Sequence, residues 1–173
     1  CHKIVLYAFK SSHIDLQEEI FKRAVPTHIY QKLMAGEGIE KVNGHITKVE
    51  VYKGGFEDEA LLDDAERESL QFDIQVLPTK LTTLYLGNTV VFGDIQVLST
   101  NLTYFNLMYT SVKGDIQVLQ GLQHLTGFNL NYTAVTGDIR VLQGLQHLTS
   151  FHLLKTDVFG DIKFLQGLQH LTI

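Results

Sequence analysis

Gly114-Asp115-Ile116-Gln117-Val118-Leu119, followed by Leu125-Thr126-Gly127-Phe128-Asn129-Leu130 and then by Thr133-Ala134-Val135, is the stretch on which the fold turns. Its opening hexad recurs as FDIQVL from Phe72, GDIQVL from Gly93, GDIRVL from Gly137 and GDIKFL from Gly160, at spacings of 21, 21, 23 and 23 residues. A fixed period of that size marks a solenoid whose units bury their apolar faces only against their neighbours. Within the unit, Thr126, Phe128 and Leu130 alternate with Gly127, Asn129 and Asn131, which predicts a short strand with one face buried. Leu119, Leu122 and Leu125 fall at i, i+3 and i+6 and predict a short helix on the opposite side of the unit. The units from Phe72 and Gly93 are two residues shorter there and carry Pro78 or Ser99-Thr100, so a tighter turn is expected in them.

The succession Leu125-x-x-Phe128-x-Leu130-x-x-Thr133-x-Val135 resembles the leucine-rich repeat family, and the Gly-x-Ile that follows resembles its plant-type subclass. The resemblance covers residues 72–173, with four full units and an incomplete fifth, and the GDI-containing array resembles those of algal-protist proteins. It implies an α/β solenoid with parallel strands on the concave face and short helices or turns on the convex face, joined to an α/β N-terminal cap. The departure is Thr89, Thr110, Thr133 and Thr156, where the family usually places Asn; a hydroxyl has the shorter reach, so a tighter turn is expected.

Composition narrows the function. Fourteen basic against nineteen acidic residues give a net charge of −5, and the longest basic cluster is Lys22-Arg23, so the electrostatic footprint of a nucleic-acid binder is missing. Residues 1–71 hold nine of the basic and thirteen of the acidic residues, which leaves the repeats close to neutral. Cys1 has no second cysteine to pair with, which favours an intracellular or organellar site over a secreted one. No apolar run approaches the roughly 18 residues of a membrane span, and no transmembrane segment is expected. The chain opens at Cys1 without an initiating Met and stops at Leu171-Thr172-Ile173, where other units begin their strand; a processed or partial chain is expected, its C-terminal edge covered by a partner or by further repeats.

Several columns invite a chemical reading. Asp73, Asp94, Asp115, Asp138 and Asp161 are expected to cap the turns that follow them, since calcium would need a second oxygen-rich position in each unit. His124, His147 and His170 run in parallel rather than converging on one ion, so no metal site is expected. Thr82, Thr103, Thr126, Thr149 and Thr172 share strand parity with Phe128 and Leu130 and are expected to point inward, which argues against an ice-binding array. Gly36-Glu37-Gly38 lacks the third glycine of a dinucleotide fingerprint, and neither a nucleophile elbow nor a phosphate loop occurs. No catalytic residue, cofactor or enzymatic activity is expected. The sequons at Asn101 and Asn131 belong to the repeat framework and read as chance.

Recognition is expected where the repeat varies, on the outward strand positions of the concave face: Tyr85, Asn88, Tyr104, Asn106, Met108, Tyr109, Asn129, Asn131, Tyr132, His152, Leu154 and Lys155. Tyr and Met are enriched at protein interfaces, although Tyr also favours strands as such.

Residues 1–44 read as the cap. Lys3–Phe9 predicts a buried strand; Ser12-His13-Ile14-Asp15 resembles a capping box ahead of a helix over 15–24 that buries Leu16, Ile20 and Ala24; Pro26 starts a second helix that runs to Met34 and is closed by Gly36. Residues 45–71 read as a first strand followed by an acidic insertion. Ile46-Thr47-Lys48-Val49-Glu50-Val51 copies the repeat's strand spacing, and the rival reading makes Asn43-Gly44 a hairpin turn. The segment Phe56–Leu70 predicts an amphipathic helix on Leu61, Leu62, Ala65 and Leu70, with an acidic docking site for a basic partner as its functional alternative. Three roles follow as expectations: a non-enzymatic protein-binding adaptor or accessory scaffold subunit, the repeat module of a larger enzyme or receptor, or a peripheral subunit of a large algal organellar complex of photosynthesis or respiration.

Overall fold

The computed structural model describes residues 16–52 and 61–171. The elements run α1 (Leu16–Ala24), α2 (Thr27–Ala35), β1 (Ile39–Val42), β2 (His45–Glu50), α3 (Asp64–Ser69), then β3 (Thr83–Tyr85), β4 (Phe92–Asp94), β5 (Tyr104–Asn106), β6 (Ser111–Asp115), β7 (Gly127–Asn129), β8 (Ala134–Asp138), β9 (Ser150–His152) and β10 (Asp157–Phe159). One sheet has the order β1-β2-β3-β5-β7-β9 and a second the order β10-β8-β6-β4. Each of the four full repeats thus contributes a strand to the first sheet, a strand to the second and a 3₁₀ turn that follows its opening motif.

The first sheet is parallel from β2 to β9, with Val49, Leu84, Phe105, Phe128 and Phe151 in successive register. These residues form the inner column, and Phe105, Phe128 and Phe151 stack ring on ring at 5.4 and 5.9 Å. The β1–β2 pair is an antiparallel hairpin, and β2 also pairs in parallel with β3. The two rival readings of residues 39–51 are therefore both present: the Asn43-Gly44 turn closes a hairpin, and the hairpin's second strand is the first strand of the array.

On the convex side the helix is a 3₁₀ turn over Ile116–Gly121 and Ile139–Gly144, shortened to Ile74–Val76 and Ile95–Val97 in the earlier units. It therefore starts before the expected Leu119. A spacing of i, i+3, i+6 suits three residues per turn, and Leu119, Leu122 and Leu125 are all buried. Every Asp of the opening motif accepts a hydrogen bond from the backbone N–H two residues on, at 2.8–2.9 Å, and so caps its turn. The threonines that replace Asn donate their hydroxyls to the carbonyl three residues back, Thr89 to Leu86 at 2.7 Å and Thr133 to Leu130 at 2.7 Å. Each turn is thus closed within its own unit.

The second sheet has no counterpart in the expectations from sequence. Its strands are three to five residues long and carry the Gly-Asp of the repeat, so they lack an alternation long enough to read.

In the cap, α1 buries Phe21 rather than the expected face, and Leu16 stays 74% exposed. Phe21 packs edge-on against Tyr30 and Phe72, and Glu18 shares the same face. The Glu18 carboxylate is buried and accepts from the backbone N–H of Ile46 and, at 3.3 Å, from Lys41 Nζ, which ties α1 to the hairpin. Leu16 and Ile20 lie on the exposed side. Helix α2 starts after Pro26 and ends at Gly36, whose N–H donates to the Lys32 carbonyl at 2.9 Å.

The acidic segment forms only the short α3, capped by Asp63 in a reciprocal box with Glu66. None of its own six residues is buried; Leu62 and Leu70 on either side anchor it, and Ala65 is exposed. The expected strand at Lys3–Phe9, the capping box at Ser12 and residues 56–60 of the acidic segment lie outside the described residues.

Candidate functional site

Parallel register sets the outward side chains of the first sheet in columns. Lys48, Thr83, Tyr104, Gly127 and Ser150 form one, and Glu50, Tyr85, Asn106, Asn129 and His152 the next. Beyond the strand ends follow Gly87, Met108, Asn131 and Leu154, and then Asn88, Tyr109, Tyr132 and Lys155 at the turns. Of the twelve residues singled out from the sequence, Tyr85, Tyr104, Asn106, Asn129 and His152 stand in these columns, and the other seven follow directly after the strands.

Two tyrosine pairs dominate it. Tyr85 and Tyr104 stack at 4.8 Å with their planes 15° apart, and Tyr109 and Tyr132 at 4.4 Å and 12°. Gly127 leaves room for the first pair, since a Cβ there would come within 3.0 Å of the Tyr104 ring. Burial pushes both the Tyr85 and the Tyr104 hydroxyl above the ordinary tyrosine range, with Tyr104 and the Glu50 carboxylate adding to the effect on Tyr85. Both stay protonated at any physiological pH.

Tyr109 and Tyr132 are placed differently. They occupy the turn position that has left-handed backbone in every unit, with φ of 52° and 55°, next to Asn88 at 56° and Lys155 at 58°. Asn tolerates that conformation; for a bulky residue it costs roughly 1–2 kcal/mol. The two rings are nonetheless 52% and 41% exposed.

The asparagines divide their two ends. Asn106 Oδ1 accepts from the Met108 N–H at 3.0 Å, Asn129 Oδ1 from Asn131 at 2.9 Å, and Asn131 Oδ1 from Leu154 in the next unit at 2.6 Å. A backbone N–H can only donate, so each amide is oriented oxygen inward. Asn129 Nδ2 lies 3.3 Å from Met108 Sδ, and Asn88 Nδ2 donates to the Tyr52 hydroxyl at 3.3 Å. His152, Leu154 and Lys155 are exposed at the C-terminal end of the face.

Sequence reasoning missed Glu50, which sits 3% exposed beside Tyr85 with Lys48 Nζ at 3.4 Å from its Oε2. Only the alternation of the strand pointed to it. Burial pushes its carboxyl above the ordinary value of 4.5, against the opposing pull of Lys48. The folded chain then holds this proton more tightly than the unfolded one, so the Glu50 contribution is most favourable below 4.5 and declines as pH rises above it. Glu50→Gln is expected to flatten that decline: urea denaturation of both proteins at acid and neutral pH should show the variant gaining relative to the parent at neutral pH, and a constant difference contradicts this assignment.

The threonine column is not inward. Thr82 and Thr103 are half-buried, Thr126 and Thr149 exposed, and each hydroxyl donates to the carbonyl of the preceding unit's threonine at 2.8–3.1 Å. The regular strand begins only at the next residue, so parity does not extend back to them; Thr172 lies outside the described residues. Thr47, Thr82 and Thr103 line a groove of ≈ 460 Å³ at the strand-entry edge, together with His45, Lys80 and His124. Among the described residues no group of three or more His, Cys, Asp or Glu is placed to hold a metal ion, and no helix is long and apolar enough to cross a membrane.

No family model matches the sequence, and no curated protein matches it. Solved structures do match in shape. The plant peptide hormone receptor RGFR1 in complex with RGF2 superposes with a TM-score of 0.56 at 21% identity, covering 78% of this chain and 20% of the receptor chain. The Arabidopsis receptor kinase HAESA leucine-rich repeat ectodomain, in complex with an N-terminally extended IDA peptide hormone, gives 0.53 at 13% identity, covering 91% of this chain and 32% of that one. The BIR2 ectodomain from Arabidopsis thaliana gives 0.50 at 16%, covering 71% and 63%. The fold is that of a leucine-rich repeat solenoid, and the chain spans less than two thirds of the length of each of these three structures.

Proposed function

We propose that this chain is a non-enzymatic protein-binding module, an adaptor or accessory subunit, that grips its partner through the concave face. The observation that carries the reading is the Tyr109–Tyr132 pair: two stacked aromatic rings, half exposed, on left-handed backbone that disfavours them. Large, rigid amphipathic side chains of this kind concentrate binding energy at interfaces. The receptor ectodomains of similar fold, two of them described with bound peptide hormones, support the same reading. Replacing Tyr104, Tyr109 and Tyr132 together by alanine is expected to lower partner recovery in a pull-down about tenfold or more, with the fold checked by circular dichroism. Undiminished recovery by the folded variant refutes the concave face as the binding surface.

A second reading makes the array the recognition module of a larger receptor or enzyme; the short coverage of the matched receptor chains favours it. The full-length transcript distinguishes the two, because a module of this kind requires a catalytic or membrane-spanning segment encoded in the same frame.

A further inference from the structure

We infer that the strand-entry edge of the array is a second recognition surface, one that takes an acidic segment of a partner protein. It lies apart from the concave face and is independent of the reading proposed for that face. The edge is a column. His45, Lys80, Asn101, His124, His147 and His170 each stand immediately before the apolar residue with which a unit enters its strand, as His124 stands before Leu125. All but His45 end a turn with the side chain exposed. The threonines two places on keep the column in line, since the N–H groups of Thr82, Thr103, Thr126 and Thr149 each donate to the preceding threonine's carbonyl at 2.7–2.8 Å. At one strand separation per unit, the stretch from Lys80 to His170 is about 19 Å long, the reach of about six extended residues. Its N-terminal part opens into the groove of ≈ 460 Å³, which His45, Lys80, Asn101 and His124 line together.

Charge gives this edge its chemistry. Between the capping Asp of each unit and the strand that follows there is no Asp or Glu, so the acids of the repeat sit at the far end of the 3₁₀ turn. There Asp138 holds Arg140 at 2.6 Å and Asp161 holds Lys163 at 3.7 Å. At the strand-entry end the cations are left unanswered: among the described residues the side chains of Lys80, His124, His147 and His170 form neither an ion pair nor a hydrogen bond. His45 differs, with Nδ1 3.8 Å from Glu18 Oε1, a carboxylate already engaged by the Ile46 N–H and by Lys41. The titratable neighbours of His124 along the column are therefore His45 and Lys80 on one side and His147 on the other, and the flanking Gln123 and Gln146 are neutral.

In a chain of net charge −5 this is a run of cations without counter-ions. Histidine gains its charge between about pH 8 and pH 5, so the edge goes from Lys80 alone to Lys80 with His124, His147 and His170 as pH falls. One exposed ion pair contributes little, and a partner must engage the series. An extended acidic peptide suits it, because successive carboxylates can reach successive units. A nucleic acid suits it less well, since the column is one side chain wide and offers no Phe, Tyr or Trp on which a base could stack.

The test uses fluorescein-labelled octaglutamate and a Gly-Ser peptide of equal length, titrated against the intact chain by fluorescence anisotropy in low salt. Octaglutamate is expected to bind about tenfold more tightly at about pH 5.5 than at about pH 7.5, with no such gain for the Gly-Ser peptide. Asn101 already occupies this column, so the triple change His124→Asn, His147→Asn, His170→Asn fits the turns and should remove most of the gain while leaving the urea midpoint in place. The Tyr109→Ala, Tyr132→Ala pair should leave octaglutamate affinity unchanged. Absence of octaglutamate binding at both pH values overturns the proposal, as does full acid-pH binding by the triple histidine variant. Loss of binding in the tyrosine pair moves the peptide to the concave face, and tighter binding of an oligothymidylate of equal length makes the edge a nucleic-acid site; either result also overturns it.

Discussion

Phe128→Ala is expected to cost about 3–5 kcal/mol of folding stability. The ring is fully buried and lies between Phe105 and Phe151, at 5.4 and 5.9 Å, so its removal leaves a cavity that two neighbouring units share. Relaxation is restricted because β7 is hydrogen-bonded to β5 and β9. In a solenoid each unit is stabilised chiefly by its neighbours, so the loss falls on the coupling between the N-terminal and C-terminal units. Urea denaturation followed by tyrosine fluorescence should show a lower midpoint and a broadened or split transition. A change below about 1 kcal/mol with one sharp transition means that the aromatic column is not what joins the units.

Gly114→Ala is expected to cost about 3 kcal/mol or more. Gly114 has φ of +121°, and an added Cβ would run into the Asp94 carboxylate and come within 3.1 Å of the Ile95 side chain. Asp94 is the cap of the preceding unit's turn, accepting from Gln96 N–H at 2.9 Å, so one methyl group strains its own backbone and displaces its neighbour's cap. Gly121→Ala is the control: a Cβ there meets nothing within 4 Å, and its effect should stay within about 0.5 kcal/mol. Equal thermal midpoints for the two variants contradict this account of why four of the five units open on glycine.

The readability of this chain depended on how each feature is generated. The Asp caps and the Phe and Leu columns were legible because every unit repeats them, and because a cap needs only a backbone N–H two residues away. The candidate face was legible for the same reason in reverse, as the places where repetition lapses. The roles of the asparagines along it were not. Asn131 bonds to Leu154, 23 residues on, and only stacked units show that its oxygen is already committed. The left-handed backbone under Tyr109 and Tyr132 was equally hidden, since tyrosine at such a position contradicts local preference.

By itself, then, the sequence determined the period, the solenoid, the buried columns and the face that varies, because these follow from local chemistry copied once per turn. Tertiary structure alone decided which way α1 turns, that Glu50 is buried beside Tyr85, that the threonines lie at the open strand-entry edge, and that the second sheet exists. Each of those outcomes is set by groups far apart in sequence, as with the Glu18 carboxylate and the Ile46 N–H, 28 residues apart. The free energy of a buried charge or an unpaired amide depends on what the fold brings beside it.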